Sequence, residues 1–342
     1  MLVIRSGWQI GSWEAGWVSE SWARTDGVVT IRPPQPGDSA RLVAGRDAEF
    51  SRFLGQGSNE PDPVACVTVD DVVVGWVDHD SDRSWLLPGE VNVGYNVFAS
   101  HRGRGMASRA VQLLLHHLAL TDQCRTATLL IDPANARSQA LAVRNRFERH
   151  DDLDGNPYYK RSVPALTYHR GDVTIRRRRR DDLEMDLSSR DDEHIRWLWR
   201  PSEIARWDAM TPNERRTHTL SWLAGVSDSF GAGPRWTFSV DLMEATSVGV
   251  VDVNLASDHA PAGEANVSYW VHPGFRRRGV ASASVQLALQ FLRDHTASRQ
   301  AHIMVDPNNT PSLAVATSVG AAVGATTIDR HGRSLIRHTF EV

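Results

Sequence analysis

Two short loops carry residue types suited to holding an anion. Arg102-Gly103-Arg104-Gly105-Met106-Ala107 stands between an alternating strand pattern and an amphipathic helical one, and Arg276-Arg277-Arg278-Gly279-Val280-Ala281 stands in the same context. Small residues let the backbone turn tightly, so that successive N–H groups converge, and the helix start behind them adds partial positive charge. A pyrophosphate suits such a cradle, at roughly 1.5–3 kcal/mol for each hydrogen bond to the charged group. A glycine-rich strand-to-helix turn can also serve chain geometry alone; the recurrence of the loop in one context favours the anion. On the polar face of the preceding strand, Glu90 lies two residues from Asn92, and Glu264 two residues from Asn266. A carboxylate beside an amide that can hold a relay water is a candidate general base. The plainer alternative is that both glutamates open their strands in solvent.

The elements that must position these groups are also written twice. Residues 89–142 return at 263–316 with a constant offset of 174: Gly89-Glu90 as Gly263-Glu264, Tyr95 as Tyr269, Val111-Gln112-Leu113 as Val285-Gln286-Leu287, and Asp132-Pro133 as Asp306-Pro307. Upstream, Gly27–Arg32 matches Gly171–Arg176 and Asp38 matches Asp182 at an offset of 144, so the second copy carries about 30 extra residues. A repeat this long is a domain rather than a solenoid unit. Lobe 1 is read as residues 27–168 and lobe 2 as 169–342, with residues 1–26 as a partly ordered extension and inserted helices around 195–235. In each lobe Glu90–Val97 or its counterpart alternates as a strand, Ser108–Leu118 or Ser282–Leu292 is helical, and Thr126–Ile131 or Gln300–Val305 is again a strand. A helix opened by Asn135 or Asn309 follows. Helices and strands alternating around a mixed sheet give an α/β or α+β class.

Arg-x-x-Gly-x-Ala between such a strand and helix resembles the acyl-CoA-binding motif of the GNAT superfamily of N-acetyltransferases. Asp-Pro-x-Asn-x-x-Ser (Asp132–Ser138 and Asp306–Ser312) resembles that superfamily's following strand-to-helix segment, and is most similar to the branch that acetylates protein N-termini, including ribosomal proteins. The resemblance covers nearly all of residues 27–342 as two lobes in tandem. It implies a mixed sheet splayed like a V, with acetyl-CoA as acyl donor in the split and direct transfer to an amine, without a metal. It assigns the cofactor to residues 102–107, 276–281, Asn135 and Asn309, and the thioester oxygen to backbone N–H groups near Val97 and Val271. It leaves the proton to Glu90 or Glu264. Many members place a tyrosine in the last helix as the acid for the leaving thiolate; this chain has Ala142 and Ala316 there. Ser138 and Ser312 are the candidates for that role, or they cap and pack the helix start. The same departures leave open a non-catalytic acyl-CoA-binding sensor or scaffold, and the arginines leave room for another acyl group such as succinyl.

The inserted segment holds Trp197, Trp199, Trp207 and Trp222, with Trp236 at its edge, either as acceptor walls or as packing. If one lobe is catalytic, lobe 2 is favoured. A formal net charge of −3 gives no reason to expect a nucleic-acid partner, and no run approaches the ~20 apolar residues of a membrane span. The N-terminus lacks the features of a secretory signal, and Cys66 and Cys124 have no counterparts across the repeat, so a cytoplasmic protein is expected, a monomer or homodimer. The Arg176–Arg180 run reads as a solvated loop, or as a contact to the CoA phosphates, and His116-His117 reads as no metal site. Lys160 is the sole lysine, which excludes a Walker-type phosphate loop.

Overall fold

The computed structural model describes residues 22–329 and 332–342. Trp8, Trp13 and Trp17 of the extension lie outside the described residues. The chain divides into two compact units, one ending at Pro164 and the other running from Ala165.

In the first unit β1 (Arg24–Thr25), β2 (Thr30–Arg32), α1 (Asp38–Ala44), α2 (Ala48–Leu54), β3 (Ala65–Val69) and β4 (Val72–Asp80) lead to β5 (Glu90–Val97). Then come α3 (Met106–Thr121), β6 (Thr126–Leu130), α4 (Ala136–Arg144), β7 (Glu148–Leu153) and β8 (Asn156–Ser162). The second unit opens with β9 (Tyr168–Arg170), β10 (Val173–Arg177), α5 (Leu183–Ser188) and α6 (Asp192–Leu198). It adds α7 (Pro201–Asp208) and α8 (Pro212–Ser229) before β11 (Arg235–Leu242), β12 (Ala245–Asn254) and β13 (Ala265–Val271). It closes with α9 (Val280–His295), β14 (Gln300–Val305), α10 (Thr310–Ser318), β15 (Ala322–Ile328) and β16 (Ser334–Glu341). Each unit is one mixed eight-stranded sheet, in the order β1-β2-β3-β4-β5-β6-β8-β7 and β9-β10-β11-β12-β13-β14-β16-β15.

The lobe boundary differs slightly from the sequence reading. β9 pairs with β10, and the Tyr168 hydroxyl donates to Asp294 at 3.0 Å, so residues 165–168 belong to lobe 2. The counterpart of β9 at the offset of 144 is β1, which pairs with β2; Trp22 stacks on His117 at 3.9 Å and Arg109 holds Asp26 at 2.6 Å. Residues 22–26 are therefore part of lobe 1.

The pairing register shows the split. β5 pairs with β4 over Asn92–Val97 but with β6, in parallel, only over Glu90–Asn92. β13 pairs with β14 only at Ala265 and Asn266. Beyond those residues the two parallel neighbours part. Gly75 and Gly249 lie opposite the far arm of the split strand. A Cβ at either would meet a backbone oxygen, Asn96 O at 2.1 Å or Trp270 O at 2.5 Å, so only glycine permits that approach. The apolar face of sheet 1 packs on α3 through Val91, Val93, Val111, Leu114 and Leu118, and the corresponding strands and helix of lobe 2 are buried likewise.

The arginine run corrects the expectation of a solvated loop. Alternation along β10 turns every second side chain inward: Arg176 binds Asp182 and Asp241, each at 2.7 Å, and the fully buried Arg178 binds Asp186 at 2.5 Å. Cys66 and Cys124 are buried, and burial pushes their thiols up to about 12 and about 11. Among the described residues no helix is long and apolar enough to cross a membrane, and no cluster of histidine, cysteine and carboxylate is arranged for a metal.

Candidate active site

The two loops have the backbone their chemistry requires. Gly105 and Gly279 stand before α3 and α9 in the left-handed region, at φ 79° and 75°. A Cβ at either would meet nothing, so the requirement is conformational rather than spatial. Gly103 (φ 76°) and Arg277 (φ 62°) share the left-handed region. Among the described residues, no N–H of residues 103–108 or 277–282 finds an acceptor; the first loop-to-helix bonds run from Arg109 N to Gly105 O and from Ala283 N to Gly279 O. Six free donors at a helix start are the pattern that accepts a phosphate, so the residues fit the pyrophosphate of a CoA thioester.

The side chains of the leading arginines are engaged within the protein. Arg276 Nε donates to Val271 O at 3.0 Å, its two terminal nitrogens grip both oxygens of Asp191 at 2.7 and 2.8 Å, and Glu193 lies at 2.5 Å. Arg102 does the same with Val97 O at 2.7 Å, Asp47 at 2.5 and 3.1 Å, and Glu49 at 3.2 Å. Those side chains tie the loop to the split strand and to α6 or α2; Asp191 and Asp47 also cap these helices by accepting from His194 N and Phe50 N, both at 2.9 Å. The arginines hold both aspartates below the usual carboxylate range. Arg104 and Arg278 are exposed, the latter 5.4 Å over the Phe275 ring, while Met106 and Ala107 pack against the core.

In lobe 2 a cavity of about 1300 Å³ opens over the split. One wall is the loop and α9 start (Gly279–Ser282); another is Asn308–Ser312. The polar face of β13 (Asn266, Ser268, Trp270) forms the floor, with His194 and Trp197 of α6 beyond it. This exceeds the 300–1,000 Å³ or so of ordinary ligand pockets and leaves space for a donor and an acceptor. The backbone directions agree. His272 N donates to Val248 O and Phe98 N to Val74 O. By antiparallel alternation, the N–H groups of Val271 and Tyr269, and of Val97 and Tyr95, then point away from β12 and β4 into the split.

The glutamates are engaged. Glu90 binds Lys160 at 2.6 Å and accepts from Leu87 N at 3.1 Å. Burial raises its carboxyl, but the Lys160 ammonium and that N–H outweigh burial and leave it below its ordinary value, a poor proton acceptor. Glu264 lies 2.5 Å from Nε2 of the buried His302, whose Nδ1 meets Thr339 Oγ1 at 3.1 Å, and Glu264 is not part of the cavity wall. Asn135 and Asn309 cap α4 and α10, accepting from Ser138 N at 3.0 Å and Ser312 N at 3.1 Å. Tyr95 and Tyr269, residues that sequence reasoning did not single out, lie beside Ser138 and Ser312, and among the described residues their buried hydroxyls have no hydrogen-bond partner. Burial pushes the Tyr95 phenol up to about 12 and raises that of Tyr269, effects that Ser138 and Ser312 oppose.

The two acceptor sides differ. In lobe 1 the Trp76 ring covers Gly94, within 3.4 Å of where a Cβ would stand, and packs with Phe98, Leu42 and Cys66. In lobe 2 those positions are Val250 and Ser268, and Ser268 lines the cavity. Trp199 and Trp207 serve packing around Arg190, at 5.3 and 3.8 Å, and Trp236 is core; of the inserted tryptophans Trp197 lines the cavity.

The acetyltransferase (GNAT) domain model matches residues 64–148 and 173–322, more than half of the chain. A ribosomal-protein-serine acetyltransferase of Escherichia coli (strain K12) is 36% identical over 55 residues, 16% of this chain and 31% of the relative, so the chain matches about a third of that relative's length. Among solved structures, Mycobacterium smegmatis RimJ in complex with CoA-disulfide is 21% identical with a TM-score of 0.42, over 49% of this chain and 81% of that one. A ribosomal-protein-S5-alanine acetyltransferase from Vibrio fischeri is 12% identical with a TM-score of 0.42, over 52% of this chain and 96% of that one. With both lobes carrying the loop, the split strand and the matched domain, the chain belongs to the GNAT acetyltransferase family, its domain present twice.

Proposed function

We propose that lobe 2 transfers the acetyl group of acetyl-CoA to a primary amine, a small molecule or a protein N-terminus. The observation that carries this reading is the lobe 2 cavity, where free loop N–H groups, inward strand N–H groups and an aromatic acceptor wall meet in one space. The N–H groups of 277–282 hold the pyrophosphate, and Val271 N–H receives the thioester oxygen as it becomes negative. Aiming donors at developing charge in a site that excludes water is worth about 2.7–4 kcal/mol per donor. Ser312, backed by Tyr269, supplies a proton to the departing thiolate. Glu264 orders the floor of the split through His302 and Thr339. Lobe 1 keeps the cradle but fills its acceptor side with Trp76 and Phe98, so acyl transfer belongs to lobe 2. Unpaired Cys66 and Cys124 accord with work in the cytoplasm.

The test is thiol release from acetyl-CoA by the whole chain, offered phenethylamine and a serine-initiated hexapeptide. Release that depends on the amine, unchanged by Gly105→Val and abolished by Gly279→Val, is expected. Release that follows Gly105 instead overturns the assignment to lobe 2.

A further inference from the structure

Resting on that reading, we infer that His194 is the group in lobe 2 that takes the proton from the attacking amine. Its imidazole is buried on the cavity wall, and among the described residues neither ring nitrogen has a hydrogen-bond partner. Nδ1 is sealed from solvent, which leaves Nε2 as the nitrogen open to the cavity. A buried polar atom without a partner costs about 1–3 kcal/mol, so such a group calls for a role.

Packing is a weak rival, because the molecule contains its own control. At the offset of 144 the counterpart of His194 is Phe50, on the same turn of α2, under the same aspartate cap and the same arginine clamp. Lobe 1 thus keeps the scaffold and fills this place with an apolar ring. The clamp also fixes where His194 stands. Asp191 accepts from His194 N and grips Arg276, and Arg276 reaches Val271 O on the split strand. Three hydrogen-bonded links, through Asp191 and Arg276, therefore join the backbone of His194 to the strand that presents the thioester.

The ring lies 5.0 Å from Trp270, tilted by 56°, and 6.3 Å from Trp199. The charges that face it are Arg190, Asp191 and Arg276; burial first, then the two arginines against Asp191, push it down to about 4. It is therefore neutral near pH 7, a weak base that takes the proton only once attack on the acyl carbon has made the amine nitrogen acidic. The other acids of the cavity are engaged: Glu193 by Arg276, Asp252 by Arg235 and Thr237, and Asp306 by Asn308 N. His259 belongs to the loop between β12 and β13 and is only half-buried.

In the step this assigns, the amine nitrogen bonds to the acyl carbon, its proton passes to Nε2, and the carbon–sulfur bond breaks. The Ser312 hydroxyl protonates the thiolate and regains its proton from water, while the imidazolium returns its proton to water.

The experiment compares wild type, His194→Phe and His194→Gln in the full chain. Acetyl-CoA is titrated calorimetrically, and thiol release is followed with phenethylamine and the serine-initiated hexapeptide from pH 4 to 9. Both variants are expected to bind acetyl-CoA within about twofold of wild type and to unfold at a similar temperature. Their kcat is expected to fall by about 10²–10³, with loss of the low-pH decline set by the ring among Arg190, Asp191 and Arg276. A kcat within threefold of wild type overturns the role, as does a loss of acetyl-CoA affinity equal to the loss of rate. A wild-type chain that binds acetyl-CoA and releases no thiol with either amine overturns the transfer reading, and the role of His194 with it.

Discussion

A carboxylate serves as a base only where its oxygens are free when the amine arrives, and in this molecule the two glutamates opening the split strands are both engaged. Glu90 shows the physical cost of its position. Its carboxyl is held below its ordinary value by Lys160, so it contributes stability in full above the unfolded glutamate's pKa. That contribution is lost as the pH falls through the lower folded value. Glu90→Gln is expected to cost about 1–2 kcal/mol at pH 7, between an exposed and a buried pair, and to match wild type in acid. Urea unfolding at pH 7 and at pH 3 checks this. At the opposite wall Tyr269 lies beside Ser312. Ser312→Ala is expected to slow thiol release by about 10²-fold, with acetyl-CoA affinity retained; Tyr269→Phe is expected to shift the alkaline limb of the rate profile. A serine alone is ambiguous in a sequence between cap and acid. Asn309 makes the cap by accepting from Ser312 N, and the acid role of the hydroxyl is what the rate experiment decides.

At the scale of elements, the unit that works is strand, loop and helix tied by one arginine. Arg276 joins β13, the cradle and α6, and Arg102 joins β5, its cradle and α2. Asp191→Asn is expected to loosen α6. Hydrogen exchange of residues 192–198 would rise by about tenfold, a 1.4 kcal/mol change in local opening. With Asp191 depressed by Arg276, the tie persists in acid until the pH passes below that lowered value. Gly249→Ala tests the opening of the split, because its Cβ would stand 2.5 Å from Trp270 O. Loss of about 1–3 kcal/mol of stability is expected, read by thermal unfolding. These ties were partly legible. The pairs Asp47/Asp191 and Glu49/Glu193 stand in the sequence at the same offset of 144 as Arg32/Arg176, but a carboxylate 85 residues from its arginine has no local signature. The turn of each loop was legible because it is a matter of backbone, which the glycines there dictate.

For the molecule as a whole, duplication made the fold readable, since each strand and helix of one lobe could be checked against the other. The difference between lobes was not readable in the same way. It depends on Trp76 folding over Gly94 and on His194 replacing Phe50, substitutions whose meaning appears only when the split is built around them. The arginine run was misread for the converse reason, as a string of like charges hides the alternation that pairs Arg176 and Arg178 with aspartates inside. The central claim is that the lobe 2 cavity holds the acyl donor. Calorimetric titration of the intact chain with acetyl-CoA tests it most directly, in wild type and in Gly279→Val. Saturable heat in wild type and loss of a site in the variant are expected. Absence of heat in wild type, or a titration unchanged by Gly279→Val, would contradict it.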